Sequence, residues 1–412
     1  MKINNVSVSS IAEKYGTPVF VYDEARIREN YRRLEKAFSS KYDNFKIYYS
    51  VKANSNPSLI KILLEEGAGV DASCQNEIKL ATCLGVKGED IIFSGNFLTG
   101  EDIQEGLSSK ALFNLDDISL LPKVLAFGKP EVLSFRINPG MGKSNVGHFD
   151  ITGGPEAKFG LNRSQAVEAY KQAKNAGIER FGIHMMAGSC VTDHEYFAEI
   201  TERLFDVIGE IKKELDIDFE FVDLGGGLGI PYKPDEHPLD LEKAVEGMVR
   251  VIKNKCTEFG IELPKIVIEP GRYLVADAGY LIGKVLLKKE SYKEIWGTNL
   301  SMNLVPRVIL YDAYHEFVID CKEEQEKAPT FVCGQVCEQT DLWGKELMLP
   351  KLEVGDLIVM KNTGAYCFVM SYDYNGRLLP AEILIKADGT TEVIREAKTF
   401  EDTLRGTQVG NK

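Results

Sequence analysis

Eight times along this chain a short apolar run gives way to small or polar residues, and several of the intervening stretches carry helical period. The runs cover residues 46–51, 67–73, 90–95, 111–115, 131–138, 180–188, 219–227 and 265–271. Segments 57–67, 164–177, 194–216 and 239–260 repeat their apolar residues three and four apart, the spacing of one helix face. Strand and helix alternating eight times predicts an α/β fold, a TIM-like (β/α)8 barrel closed on itself rather than an open sheet. Chemistry in such a barrel gathers at the carboxyl ends of the strands.

A chain of 412 residues exceeds one hydrophobic core, so a second domain is expected. After Gly271 the alternation stops, and residues 280–288, 330–332, 356–360 and 381–386 read as strands with no long helical period between them. Residues 17–23 read as one more strand, ahead of the first barrel helix. The expected organisation is a barrel over 24–275 inserted into a β-domain built from 1–23 and 276–412. The polar tail after Lys398 is expected to fray.

Net charge of −13 and a pI near 5.1 disfavour nucleic acid and acidic membrane surfaces as partners. Residues 1–16 hold no apolar stretch behind a basic start, so the expectation is a cytoplasmic protein without a membrane span. Eight scattered cysteines lack the dense spacing of a disulfide scaffold and read as reduced thiols. Cys333 and Cys337 have no histidine pair or second cysteine pair to complete a metal site, so none is expected.

Lys52 ends the first run, and Asn56-Pro57 behind it opens a helix. It reads either as a solvated lysine or as an amine held for Schiff-base chemistry. Gly225-Gly226-Gly227-Leu228-Gly229 closes the seventh run. Glycines let backbone N–H groups approach a phosphate, whereas the prolines at 231 and 234 oppose the helix that a dinucleotide turn needs. A plain tight turn remains the alternative. Glu269 follows Ile266-Val267-Ile268 and needs a cationic partner if buried, either Arg272 or a protonated heterocyclic nitrogen. His184 lies in an apolar strand, as a satisfied core residue or a working one. Ser189 after Gly188 suits a phosphate oxygen. Cys337 stands beside Glu338 and Asp341, acids that would raise its thiol and suit it to proton donation, or it is a small buried hydrophobe.

Lys52 in YYSVKANSN, GGGLG at 225–229, EPGR at 269–272, CEQTD at 337–341 and GAY at 364–366 occur in this order. Together they resemble the pyridoxal-phosphate amino-acid decarboxylases of the alanine-racemase-like fold, most closely the diaminopimelate decarboxylase family, over nearly the whole chain. The resemblance implies that Lys52 forms the Schiff base to pyridoxal 5'-phosphate. It implies that Ser189, Gly226, Gly227, Gly271, Arg272 and Tyr366 surround the phosphate, that Glu269 pairs with the pyridine nitrogen, and that His184 and Met186 line the cofactor. Arg272, Arg307, Tyr311 and Tyr366 would meet the substrate, an amino acid. Glu338, with the catalytic Cys337, would cross from the other subunit of a homodimer that shares its active sites.

The chain departs from that pattern in places. Met186 stands where the family places a histidine on the cofactor ring, and a thioether packs but does not titrate. Asn299-Leu300-Ser301 replaces Asp-Ala-Gly, Pro306 precedes Arg307 instead of a proline following it, and Gln339-Thr340 replaces two small residues. The expected reaction is decarboxylation of meso-diaminopimelate to L-lysine. The alternatives are a related D-configured or carrier-linked substrate, or a cofactor-binding relative without turnover.

Overall fold

The computed structural model describes residues 1–145, 151–343 and 346–409, in two compact units. One comprises residues 28–231 and 236–274, the other residues 1–27, 232–235 and 275–412. In chain order the principal strands are β1 (Val19–Asp23), β2 (Phe45–Ser50), β3 (Gly69–Ala72), β4 (Ile91–Phe93), β5 (Leu112–Leu115), β6 (Val132–Ile137), β7 (Arg180–Met185), β8 (Phe221–Asp223), β9 (Lys265–Ile268), β10 (Gly279–Glu290), β11 (Phe317–Ile319), β12 (Leu357–Lys361), β13 (Glu382–Ile385) and β14 (Thr391–Arg395).

Strands β2 to β9 pair in sequence order, every pair parallel, and β9 returns to β2 to close the expected barrel. Its floor is apolar: Tyr48, Ile92, Leu112, Val132, Phe221 and Val267 form one buried cluster. Gly69 and Gly182 leave room for two of these rings, since a Cβ would lie 2.6 Å from Tyr48 and 2.2 Å from Phe221. Side chains two positions apart on a strand share a face. Two residues beyond the floor, the same face turns polar at Ser50, Asn114, Ser134, Asp223 and Glu269.

The connecting helices begin where the sequence supplies caps. Asn56 accepts from the Ser58 N–H with Pro57 in the first turn, which starts Pro57–Glu65 directly behind Lys52. Asp193 caps His194–Leu215, and Asp240 caps Leu241–Phe259. Among the described residues no helix is long and apolar enough to cross a membrane.

The second unit is built on an eight-stranded sheet whose main path runs β11-β12-β10-β1-β13-β14. Strand β1 lies at its centre, antiparallel to β10 and parallel to β13, so the early strand does join the β-domain. Val19, Val21, Ile282, Val359, Ile383 and Ile385 pack with Ile3, Val8 and Ile11 into its core. The tail does not simply fray after Lys398. Thr399 and Asp402 form a reciprocal capping box that opens the short helix Phe400–Leu404, because each side chain satisfies the other's backbone N–H.

Candidate active site

Lys52 sits in a 3-10 turn, Val51–Ala53, where β2 stops at the mouth of the barrel. Its Nζ lies 2.5 Å from Oδ2 of Asp71, an aspartate sealed on β3 in register with Ser50. Ser50 Oγ also donates to Asp71 Oδ2, at 2.7 Å. Burial, followed by the nearby Glu269 charge, pushes the Asp71 carboxyl up, while Lys52 and Ser50 oppose that shift.

Across the mouth, His184 on β7 is in register with Asp223 on β8, and its Nε2 lies 3.2 Å from Glu269 Oε2. The three side chains bring their ligand atoms within 4.8 Å of one another. Burial alone would raise Glu269, but the charge and hydrogen bond of His184, then Lys52 and Asp223, hold it down at about 2. Burial and the same Glu269 push Asp223 well above the usual carboxylate range. Charge in the trio is thus drawn to Glu269, with His184 hydrogen-bonded to it and Asp223 shifted toward its neutral form. Glu269 Oε1 is buried with no hydrogen-bond partner among the described residues.

The glycine turn leaves β8 with Gly225 and Gly227 in the left-handed region, at φ +69° and +87°. A Cβ on Gly226 would stand 2.2 Å from the Glu269 carbonyl oxygen, and one on Gly227 2.6 Å from that of Gly188. This close approach sets the turn against the buried Ser189, with Val191 N–H donating to the Gly227 carbonyl at 2.8 Å. Gly226 N–H points at Met186 Sδ, 3.2 Å away. A donor-rich backbone cradle beside a thioether and an unpartnered carboxylate oxygen suits a flat heterocyclic cation bearing a phosphate.

The sequence of residues 24–276 matches the profile of the pyridoxal-dependent decarboxylases, in their pyridoxal binding domain. The chain is 40% identical to diaminopimelate decarboxylase of Methanothermobacter thermautotrophicus, over 99% of this chain and 95% of that protein. The chain belongs to the diaminopimelate decarboxylase family. A second member, from Thermoplasma acidophilum, is 39% identical over 98% of this chain and 96% of its own length. The crystal structure of the M. jannaschii enzyme in complex with L-lysine superposes with a TM-score of 0.90 at 33% identity, covering 98% of this chain and 95% of that one.

Within this family member, the barrel brings together Lys52, His184, Met186, Ser189, Gly226, Gly227 and Glu269. Gly271 and Arg272 follow β9 after Glu269-Pro270, both buried, the latter opening the four-residue helix Arg272–Val275. Three ionisable residues near the barrel mouth are not singled out by the sequence: Asp71 and Asp223, both buried, and the largely enclosed Arg136. Arg136 Nη2 donates to the carbonyls of Thr152, at 3.0 Å, and Met186, at 3.2 Å, so it props the loop that carries the thioether. Each lies in the last two residues of its strand as a polar residue inside an apolar run, in GVDAS, FVDLG and SFRIN, a signal close to the one that marked Lys52 and Glu269.

In the β-unit, Arg307 opens the helix Arg307–Tyr311 and is 1% exposed, while Tyr311 at its other end is half-buried. Tyr366 follows Gly364-Ala365 with φ +57° and is half-buried. Cys337 and Glu338 are exposed, with the Cys337 N–H donating to Asn375 Oδ1 at 2.5 Å, so Cys337 is not the buried hydrophobe of the blander reading.

Proposed function

We propose that this chain decarboxylates meso-diaminopimelate to L-lysine with pyridoxal 5'-phosphate. Arg307 carries the substrate reading. It is a guanidinium buried to 1% exposure whose Nε and Nη2 have no partner among the described residues. A buried cation left in that state costs several kcal/mol until an anion arrives. An amino acid whose far end is itself a carboxylate supplies one, and a plain diamine precursor does not.

Lys52 would hold the cofactor through its amine, with Asp71 as counter-charge when that amine is released as an ammonium. Glu269 would keep a proton on the ring nitrogen through Oε1. The bound cofactor supplies an electron sink for the pair left when carbon dioxide departs. Ser189, the glycine turn, Gly271, Arg272 and Tyr366 would hold its phosphate, and Met186 would pack on its ring. Cys337 is exposed on its own chain, which supports a second copy presenting it, with Glu338, to the substrate. There Cys337 would return the proton to the α-carbon and Glu338 would face the distal ammonium.

Carbon dioxide release by the holoenzyme across a panel of amino acids tests this. Release from meso-diaminopimelate, with L-lysine as co-product, is expected. Silence on it alongside turnover of a D-configured or carrier-linked amino acid overturns the substrate. Borohydride trapping at Lys52 with no product from any amine points to a relative without turnover.

A further inference from the structure

Among the described residues, Arg307 is hydrogen-bonded through one nitrogen and left open at the other two. Its Nη1 donates to His315 Nε2 at 3.0 Å, and His315 Nδ1 lies 2.8 Å from the Lys361 carbonyl oxygen. The guanidinium carbon stands 4.7 Å from the centroid of the Tyr232 ring, which in turn meets the His315 ring edge-on, centroids 5.3 Å apart at 80°. All three side chains are buried.

The protons in this chain of contacts are fixed by chemistry. A carbonyl only accepts, so His315 Nδ1 carries the hydrogen; a guanidinium only donates, so His315 Nε2 presents its lone pair. The imidazole is thus the neutral Nδ1–H tautomer, and the clamp leaves the Arg307 charge uncompensated. A carboxylate in the same place would neutralise it. Nε and Nη2, the two nitrogens without a partner among the described residues, form the side edge of the guanidinium, whose parallel N–H bonds take a carboxylate bidentately.

We propose that His315, backed by Tyr232, is a positioning residue that fixes Arg307 by its far nitrogen and holds the Nε/Nη2 edge open for the distal carboxylate of the substrate. This deepens the reading of Arg307 given above and rests on it. His315 touches no reacting atom in this proposal. It selects for substrates that end in an anion by presenting an oriented, unneutralised cation.

The test compares holoenzyme with His315→Leu and His315→Gln, titrated calorimetrically with pimelate, a seven-carbon diacid, and with cadaverine, which has no carboxylate. Gln keeps an acceptor for Nη1, and Leu does not. Expected are a pimelate affinity weakened about tenfold to a hundredfold in His315→Leu, recovery to within about threefold in His315→Gln, and cadaverine binding unchanged within about twofold. In turnover the loss falls on KM rather than kcat. Nitrogen-15 spectra of the wild-type imidazole should show the Nδ1–H tautomer, which decides the case even if His315→Leu fails to fold. Equal pimelate affinity in His315→Leu, no pimelate binding by the wild type, parallel loss of cadaverine, or an Nε2–H tautomer overturns the proposal. A wild type that shows the expected pattern yet ignores meso-diaminopimelate sinks the substrate reading and keeps the clamp.

Discussion

Lys52 Nζ and Asp71 Oδ2 are 2.5 Å apart, the lysine side chain 41% exposed and that of the aspartate fully enclosed. The asymmetry assigns them different tasks. The lysine side chain is open to an incoming ligand, and the aspartate is held by Ser50 inside the barrel wall. Asp71→Asn keeps the shape and the Ser50 contact but removes the charge-assisted bond to Lys52. The expected outcome is a fall of about ten- to a hundredfold in kcat/KM, with cofactor absorbance retained. Unchanged turnover would show that the pair is incidental.

Glu269 and Asp223 bend the stability curve in opposite senses. His184 holds Glu269 at about 2 against its ordinary 4.5, so its contribution is complete above about pH 4.5 and is lost as pH falls toward 2. Asp223 is raised, so unfolding gains an ionised carboxylate as pH climbs past its ordinary 3.8, and stability is lost upward from there. Asp223→Asn mimics the protonated acid, with Oδ1 still accepting from the Gly225 N–H. It should therefore stabilise by roughly 1 kcal/mol or more at pH 8 and by much less at pH 3.5. Urea midpoints of the apoprotein at the two pH values check the sign.

Met186, a departure from the family pattern, has its surroundings defined by two contacts. Its sulfur receives the Gly226 N–H, and Arg136 braces its carbonyl. Met186→Ala should weaken pyridoxal phosphate about two- to tenfold, the worth of one sulfur–aromatic contact. Equilibrium titration of the apoenzyme followed at the cofactor absorption band measures it. No change in affinity would remove Met186 from the cofactor site.

The barrel was legible because each strand is a short apolar run closed by small residues, and each helix carries its own period and cap. Lys52, Glu269 and the glycine turn stood out for a related reason: a polar or bare residue ends a run that would otherwise stay buried. Asp71, Asp223 and Arg136 obey the same rule but are followed by further apolar residues, Ala72, Leu224 and Ile137, which mask the end of the strand. Their inward direction follows from register, which pairs Ser50 with Asp71, His184 with Asp223 and His184 with Arg136. Pairing of strands distant in sequence is not written in local pattern. His315 ends no apolar run, and although Arg307 lies only eight residues before it, its other partners, Lys361 and Tyr232, lie 46 and 83 residues away.

Gly226 offers the sharpest test of the cradle. It does not need a left-handed backbone, so any cost of a side chain there is steric. A methyl would meet the Glu269 carbonyl oxygen at 2.2 Å, and backbone at the end of β9 cannot rotate away as a side chain can. Gly226→Ala must then push the turn from β9, which also carries Oε1 of Glu269. A loss of about 1–3 kcal/mol in stability is expected, with cofactor affinity falling alongside it. Gly297→Ala is the control, because its new methyl would find nothing nearer than a carbonyl oxygen at 3.7 Å. Thermal melts of both apoproteins, paired with cofactor titrations, separate the outcomes. If Gly226→Ala melts and binds like Gly297→Ala, the close approach of the turn to Glu269 does not shape the site.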